Sequence, residues 1–198
     1  MRSKEIGIFP TNINTEYYRK KILKNEKKII NKYSPTGWNK TITDYNTGLG
    51  FNSLTSRAYH FNVLNWYGVR SLRKCIKKSF NCYTKENHQS IYVQCWANVL
   101  RKGEKILSHN HRDYENLPFP RISGNLVIYS DTLTHTFYDG SPIENEIGRL
   151  VLFPSDVYHW TDTYLGNSER ITIAFDIKTY SDWKYDVFDD AKSHWVKL

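Results

Sequence analysis

The sequence predicts a mainly β domain, a sandwich or barrel of short strands, with helices at its N-terminal end. Two observations predict it. Up to about residue 85, apolar residues recur every three to four positions among many lysines, which is the period of amphipathic helix. From residue 90 the period changes to two, in short runs rich in Val, Ile, Tyr and Phe separated by Gly, Pro, Asn and Asp. Repeated short strands with turn residues between them argue for a sandwich or barrel.

Each element follows from its own residues. Over 15–33, Tyr18, Ile22, Ile29 and Tyr33 fall near one face and lysines fill the other, so a helix is expected with Thr15 as its cap. Residues 34–58 hold Ser34-Pro35-Thr36-Gly37 and Gly48-Leu49-Gly50, which read as turns. A second helix is expected over about 60–80: Phe61, Leu64, Leu72, Cys75, Ile76 and Phe80 recur at helical spacing, with Arg70, Arg73, Lys74, Lys77 and Lys78 on the exposed side. The runs IYVQCWANVL, ISGNLVIYSD, THTFYDG, GRLVLFP and RITIAFDI then supply strands. The expected organisation is one domain over 1–198. It has a helical region to about 85, a β core over about 90–178, and a C-terminal segment from about 179 that packs back on the body.

Composition narrows the function classes. With 39% hydrophobic and 15% aromatic residues, the chain is globular rather than disordered. No run approaches the ~18 apolar residues of a membrane span, and Met1 to Pro10 lacks the features of a signal peptide. The expectation is a soluble, cytoplasmic protein. Cys75, Cys82 and Cys95 form no C-x-x-C pair, so free thiols are expected rather than disulfides or a thiolate zinc site. The net charge of +8 is lopsided. Residues 1–90 carry 17 Lys and Arg against 5 Asp and Glu, and residues 91–198 carry 11 against 15. The basic half suits an acidic polymer. A solvated basic helix face from a Lys-, Asn- and Ile-rich composition serves equally well, so nucleic acid is not the favoured partner.

The chemistry concentrates in Leu107-Ser108-His109-Asn110-His111-Arg112-Asp113. In an extended segment residues i and i+2 point the same way, so His109 and His111 can aim two imidazoles at one point. His159 follows fifty residues after His109, and Arg170 eleven residues later. A third ligand from a facing strand would complete a facial set with open positions, as non-haem Fe(II) oxygenases require. The H-x-H pair alone is a weak signal, shared with ordinary strands and zinc hydrolases. Arg170-Ile171-Thr172 adds to it, because a guanidinium and a hydroxyl on one strand face can hold a carboxylate.

These residues resemble a known family. Trp96-Ala97-Asn98-Val99, Gly103, His109-Asn110-His111, Ser123-Gly124 with Tyr129, Gly148, Leu152-Phe153-Pro154-Ser155, His159 and Arg170-Ile171-Thr172 look like 2-oxoglutarate–Fe(II) oxygenases, most closely the group common in phages and marine bacteria. The resemblance covers roughly 90–178. It implies a double-stranded β-helix (a cupin-like jelly-roll) with the metal at its open end, and Fe(II) and 2-oxoglutarate as cofactors. The implied reaction is hydroxylation of a protein, peptide or small-molecule substrate with release of succinate and CO2. It further implies that His109 and His159 ligate the metal, that Arg170 supported by Thr172 binds the distal carboxylate of 2-oxoglutarate, and that Asn98 and Tyr129 line that pocket. Trp96, Phe153 and Pro154 are read as core and turn residues.

One element departs from the family. The wider superfamily has H-x-D or H-x-E where this chain has His109-x-His111. The set taken is His109, His111 and His159. The register His111-x-Asp113, or a water with His111 nearby, stays open. Two other functions also stay open: a cupin-like three-histidine enzyme that needs no 2-oxoglutarate, and a non-catalytic jelly-roll binding or virion module. Of the other histidines, His60 is expected to open a helix, His88 to lie in a loop, His135 to face solvent from a strand, and His194 to sit in the polar tail.

Overall fold

A computed structural model describes residues 5–33, 47–58, 60–111, 122–185 and 194–198. In chain order its elements are β1 (Gly7–Pro10), α1 (Thr15–Lys32), α2 (Arg70–Thr84), β2 (Ile91–Leu100), β3 (Ile122–Tyr129), β4 (His135–Tyr138), β5 (Ser141–Glu144), β6 (Arg149–Pro154), β7 (His159–Thr161), β8 (Arg170–Thr179), α3 (Tyr180–Tyr185) and β9 (Val196–Lys197). Two short 3-10 turns, Thr55–Arg57 and Val63–Asn65, stand between the first two helices. The strands form a larger sheet in the order β1-β6-β3-β8-β2-β9 and a smaller one in the order β5-β4-β7, paired antiparallel throughout.

Alternation along the strands gives the larger sheet two different faces. One carries Val93, Cys95, Ala97, Leu126, Leu152, Ile173 and Phe175, which share a core with Tyr18, Ile22 and Ile29 of α1 and Leu72, Ile76 and Phe80 of α2. The other carries Asn98, Ser123, Phe153, Arg170, Thr172 and Asp176 and looks toward the smaller sheet, where Tyr138 packs on Phe153 at 4.8 Å between ring centres. All ten residues of β2 are therefore buried. The helix layer packs on the sheet from behind, and the space between the sheets holds polar side chains beside a smaller apolar cluster of Tyr138, Val151, Phe153 and Val157.

The first helix is placed as its periodicity predicts, but Asn14 and not Thr15 caps it, accepting from the Tyr17 N–H at 3.0 Å. At its other end the buried Arg57 donates to the Ile30 and Tyr33 carbonyls, which fills acceptors that a helix end leaves open. The second helix begins ten residues later than the 60–80 expectation and runs on to Thr84. The reason is local. Asn62 caps a single turn by accepting from Leu64 N–H, and its amide donates to the Val93 and His194 carbonyls. Gly68 then takes φ +78°, outside helical geometry, with the Tyr17 hydroxyl where a Cβ would stand. His60 accordingly opens no helix and stacks on Tyr33 at 5.4 Å between ring centres.

Gly48 and Gly50 take positive φ in the turns expected there, whereas Ser34 to Gly37 lie outside the described residues. The three cysteines are free, with Cys95 buried and Cys82 exposed. At the C-terminal end Trp183 stacks on Tyr92 at 4.2 Å and β9 pairs with β2. Among the described residues no helix is long and apolar enough to cross a membrane.

Gly124 tests how tightly the helix-facing side is packed. A Cβ there would lie within 3 Å of the Phe175 ring and of Leu152. Gly124→Ala is expected to cost about 1–3 kcal/mol, the range for overpacking, read as a lower urea midpoint at unchanged slope. An unchanged midpoint would mean that the Phe175 ring moves aside freely.

Candidate metal centre

Three imidazoles converge at one end of the space between the sheets. His109, His111 and His159 each offer a ring nitrogen, and these atoms lie within 4.8 Å of one another. The ring centres are 5.3 Å apart for His109 and His111, 4.3 Å for His109 and His159, and 5.0 Å for His111 and His159.

The backbone dictates this meeting. The segment before His111 is extended and forms an isolated antiparallel bridge with β7, in which His109 and His159 exchange both N–H···O bonds, at 3.2 and 2.8 Å. The third histidine thus comes from the neighbouring strand, directly across from His109, and not from a facing strand as the spacing suggested. Opposed residues on paired strands present side chains to the same face, so the bridge itself aims two rings at one point, and i+2 alternation brings His111 to join them. The His111 N–H is held by the Ser155 carbonyl at 2.9 Å.

Each ring has an acceptor at Nδ1. His109 Nδ1 lies 2.8 Å from the Leu107 carbonyl, His159 Nδ1 lies 3.1 Å from the Val157 carbonyl, and His111 Nδ1 lies 2.7 Å from Asp176 Oδ1. An acceptor at Nδ1 takes its proton and leaves the lone pair on Nε2, the form a metal binds. Burial, with the two other imidazoles next to it, holds the His159 pKa well below the usual histidine range. That ring stays neutral at physiological pH.

A second polar cluster lies further along the same interior. Arg170 opens β8 with 1% of its surface exposed. Its Nη2 donates to Thr136 Oγ1 at 3.2 Å, while Nε and Nη1 have no acceptor among the described residues. The Tyr138 hydroxyl and Asn125 Oδ1, both buried and near one another, share this interior and have no other hydrogen-bond partner among the described residues. Burial pulls the Arg170 pKa down to about 10, so it still carries its charge at neutral pH. A buried cation with idle donors is costly unless an anion meets it.

Asn98 and Thr172 face each other across β2 and β8, with Asn98 Nδ2 3.4 Å from Thr172 Oγ1, and Thr55 donates to Asn98 Oδ1 at 2.7 Å. The loop before Arg170 is anchored by Asp131, which accepts from the Tyr164 hydroxyl and from the Asn167 and Ser168 N–H groups.

Of the residues singled out in the sequence, His109, His111 and His159 come together, and Arg170, Thr172 and Asn98 share the interior face. Tyr129 does not join them. A β-bulge between Val127 and Tyr129 sets it opposite Ile171, in the helix-facing row, and the Arg19 guanidinium of α1 covers its ring at 3.5 Å. Asp113 lies outside the described residues. His135 is half-buried, 3.0 Å from Asp162 through Nδ1, and His88 packs on Phe80.

Sequence reasoning missed Asp176, Thr136, Tyr138 and Asn125. Asp176 was the findable one. It follows Arg170 and Thr172 at even spacing, so alternation puts a carboxylate on the same inward face.

Residues 130–176 match the profile of a family described as "Putative 2OG-Fe(II) oxygenase". The matched stretch holds His159, Arg170, Thr172 and Asp176 and begins after His109 and His111. Among solved structures the chain resembles a prolyl-4-hydroxylase of Pseudomonas putida, with TM-score 0.55 and 11% identity over 89% of this chain and 94% of that one. It also resembles the viral collagen prolyl hydroxylase of Paramecium bursaria Chlorella virus-1, solved with 2-oxoglutarate, with TM-score 0.57 and 10% identity over 89% and 97%. A Trichoplax adhaerens prolyl hydroxylase, solved with a hypoxia-inducible-factor peptide fragment, gives 0.54 and 11% over 91% and 86%. At these identities the likeness is one of fold, and the fold is the jelly-roll. No curated protein matches the chain.

Replacing His109 or His159 by Ala is expected to abolish stoichiometric Fe(II) binding, because one of three ligands is lost. His111→Ala should do the same while Asp113→Ala keeps most of the metal. Elemental analysis after anaerobic loading reads this. Full occupancy in a folded His159→Ala protein would remove that residue from the centre, and the reverse result for His111 and Asp113 would shift the register.

Proposed function

We infer that this chain, a member of the 2-oxoglutarate–Fe(II) oxygenase superfamily by its matched segment and its fold, is a dioxygenase that hydroxylates its substrate with release of succinate and CO2. In this reading His109, His111 and His159 hold Fe(II), and Arg170 holds the distal carboxylate of 2-oxoglutarate. Residues 1–198 act as one domain.

The observation that carries the reading is the buried guanidinium of Arg170, whose Nε and Nη1 have no partner among the described residues. A dicarboxylate would give that charge the bidentate acceptor that its fork geometry fits. The Tyr138 hydroxyl would add one neutral hydrogen bond, and Thr172 with Asn98 would line the approach. The same donors favour this function over a three-histidine cupin that uses no 2-oxoglutarate, which would leave a buried cation without purpose. When bound together, Fe(II) and 2-oxoglutarate supply the oxidising chemistry, in which O2 is consumed as the keto acid is decarboxylated and a substrate C–H bond is hydroxylated. The protein's share is to fix the imidazole geometry, hold the cosubstrate carboxylate and keep water from the site. Peptide and protein side chains and small molecules are the substrate classes to assay.

Titration of the Fe(II) protein with 2-oxoglutarate, followed through its charge-transfer band, tests the assignment. Arg170→Ala is expected to lose about 2–5 kcal/mol of cosubstrate affinity, Arg170→Lys less, and neither should lose iron. Tyr138→Phe should cost about 0.5–1.5 kcal/mol, the worth of a neutral hydrogen bond, and Tyr129→Phe nothing. Equal affinity in wild type and Arg170→Ala would remove the reason for preferring an oxoglutarate enzyme. Succinate release over pooled peptides and metabolites would then identify the substrate class.

A further inference from the structure

We propose that Asp176 is the positioning residue of the metal centre: it fixes His111 as an Nε2 donor and strengthens that imidazole as a ligand. The proposal rests on the three-histidine reading above and deepens it.

His111 is held differently from its two partners. His109 and His159 each place Nδ1 against a carbonyl two residues back in their own segment. Any histidine at those positions would find the same acceptor, because the backbone provides it. For His111 the acceptor is a side chain on another strand, Asp176 of β8, 65 positions away in the chain and 2.7 Å from Nδ1. The ring that replaces the superfamily's usual carboxylate ligand is therefore the one whose orientation depends on a carboxylate elsewhere.

Asp176 is itself built in. It faces inward on β8 and is register partner to Ser123 of β3. Ser123, with no exposed surface, donates to Asp176 Oδ1 at 2.6 Å and lies 3.1 Å from His111 Nδ1. Ser155 follows at 2.8 Å from Ser123 Oγ, and its carbonyl accepts the His111 N–H. A hydrogen-bond chain thus runs from Ser155 through Ser123 to the carboxylate oxygen that also receives the imidazole proton.

An inward carboxylate is expensive without such donors, and a merely structural role would not need its oxygen aimed at a ligand ring. An imidazole that donates to a carboxylate has a fixed tautomer and ring orientation and is a more basic ligand than a free one. Strand β8 would then serve both halves of the site, Arg170 toward the cosubstrate and Asp176 toward the metal.

The test uses the full chain with Co(II) as probe, reading affinity by chelator competition and the ligand-field spectrum at saturation. Asp176→Ala is expected to weaken Co(II) binding 10–100-fold, the usual cost of losing such a partner, and to shift the spectrum. Asp176→Asn, which still offers an oxygen to Nδ1–H, should lose less, and Ser123→Ala should fall between Asn and wild type. Wild-type affinity and spectrum in Asp176→Ala would overturn the proposal while leaving the three-histidine reading standing. A wild-type chain that takes up no Co(II) or Fe(II) would overturn both. If Asp176→Ala does not fold, Asp176→Asn and Ser123→Ala decide: unchanged affinity and spectrum in both would refute the role.

Discussion

The two N–H···O bonds between His109 and His159 are the constraint on which the site depends. They pin an extended segment to the edge strand of the smaller sheet, and so set which rings point inward. A one-residue slip in that pairing would turn His109 and His111 to the outside together, since side-chain direction along an extended chain has period two. The pairing is reinforced on both sides. Thr161 N–H donates to the Ile106 carbonyl, Thr161 Oγ1 accepts from Ile106 N–H at 3.0 Å, and the Ser155 carbonyl takes the His111 N–H. Register, and not the mere presence of histidines, brings the three imidazoles together.

Behind that edge the molecule divides its work between the two faces of the larger sheet. The helix-facing side is apolar and densely filled, down to a glycine beneath the Phe175 ring. The inner side keeps Arg170, Tyr138 and Asn125 with hydrogen-bonding capacity unmet among the described residues. Buried polar groups without partners destabilise a fold, so the stability of this interior is drawn from the opposite face. A ligand that meets those groups binds the native state alone and stabilises it by mass action. α1 ties the arrangement together: Glu26 pairs bidentately with Arg101 just past β2, and Arg19 pairs with Glu169 just before Arg170.

What the sequence made legible was whatever depends on period. The shift from a three-to-four spacing to a spacing of two located the β region, the H-x-H pair announced two rings on one side, and Arg170-Ile171-Thr172 announced a guanidinium and a hydroxyl on one face. What it hid depends on events that break the period or on contacts across strands. The bulge before Tyr129 reversed that residue's face, and no residue type there marks it. Gly68 and the Asn62 side chain cut off a helix whose apolar spacing ran on through them. Thr136 and Tyr138 sit on a four-residue strand whose inward face is defined by its pairing with β5 and β7. Asp176 was readable by alternation from Arg170, but its partner His111 was not, because that contact joins segments far apart in the chain.

X-ray absorption on the Fe(II)-loaded chain measures the protein's ligand set most directly, since the multiple scattering of imidazole rings counts them. Three imidazoles from the protein, His111 among them, are expected. Two imidazoles with a protein carboxylate would contradict this and move the third ligand away from His111 or His109.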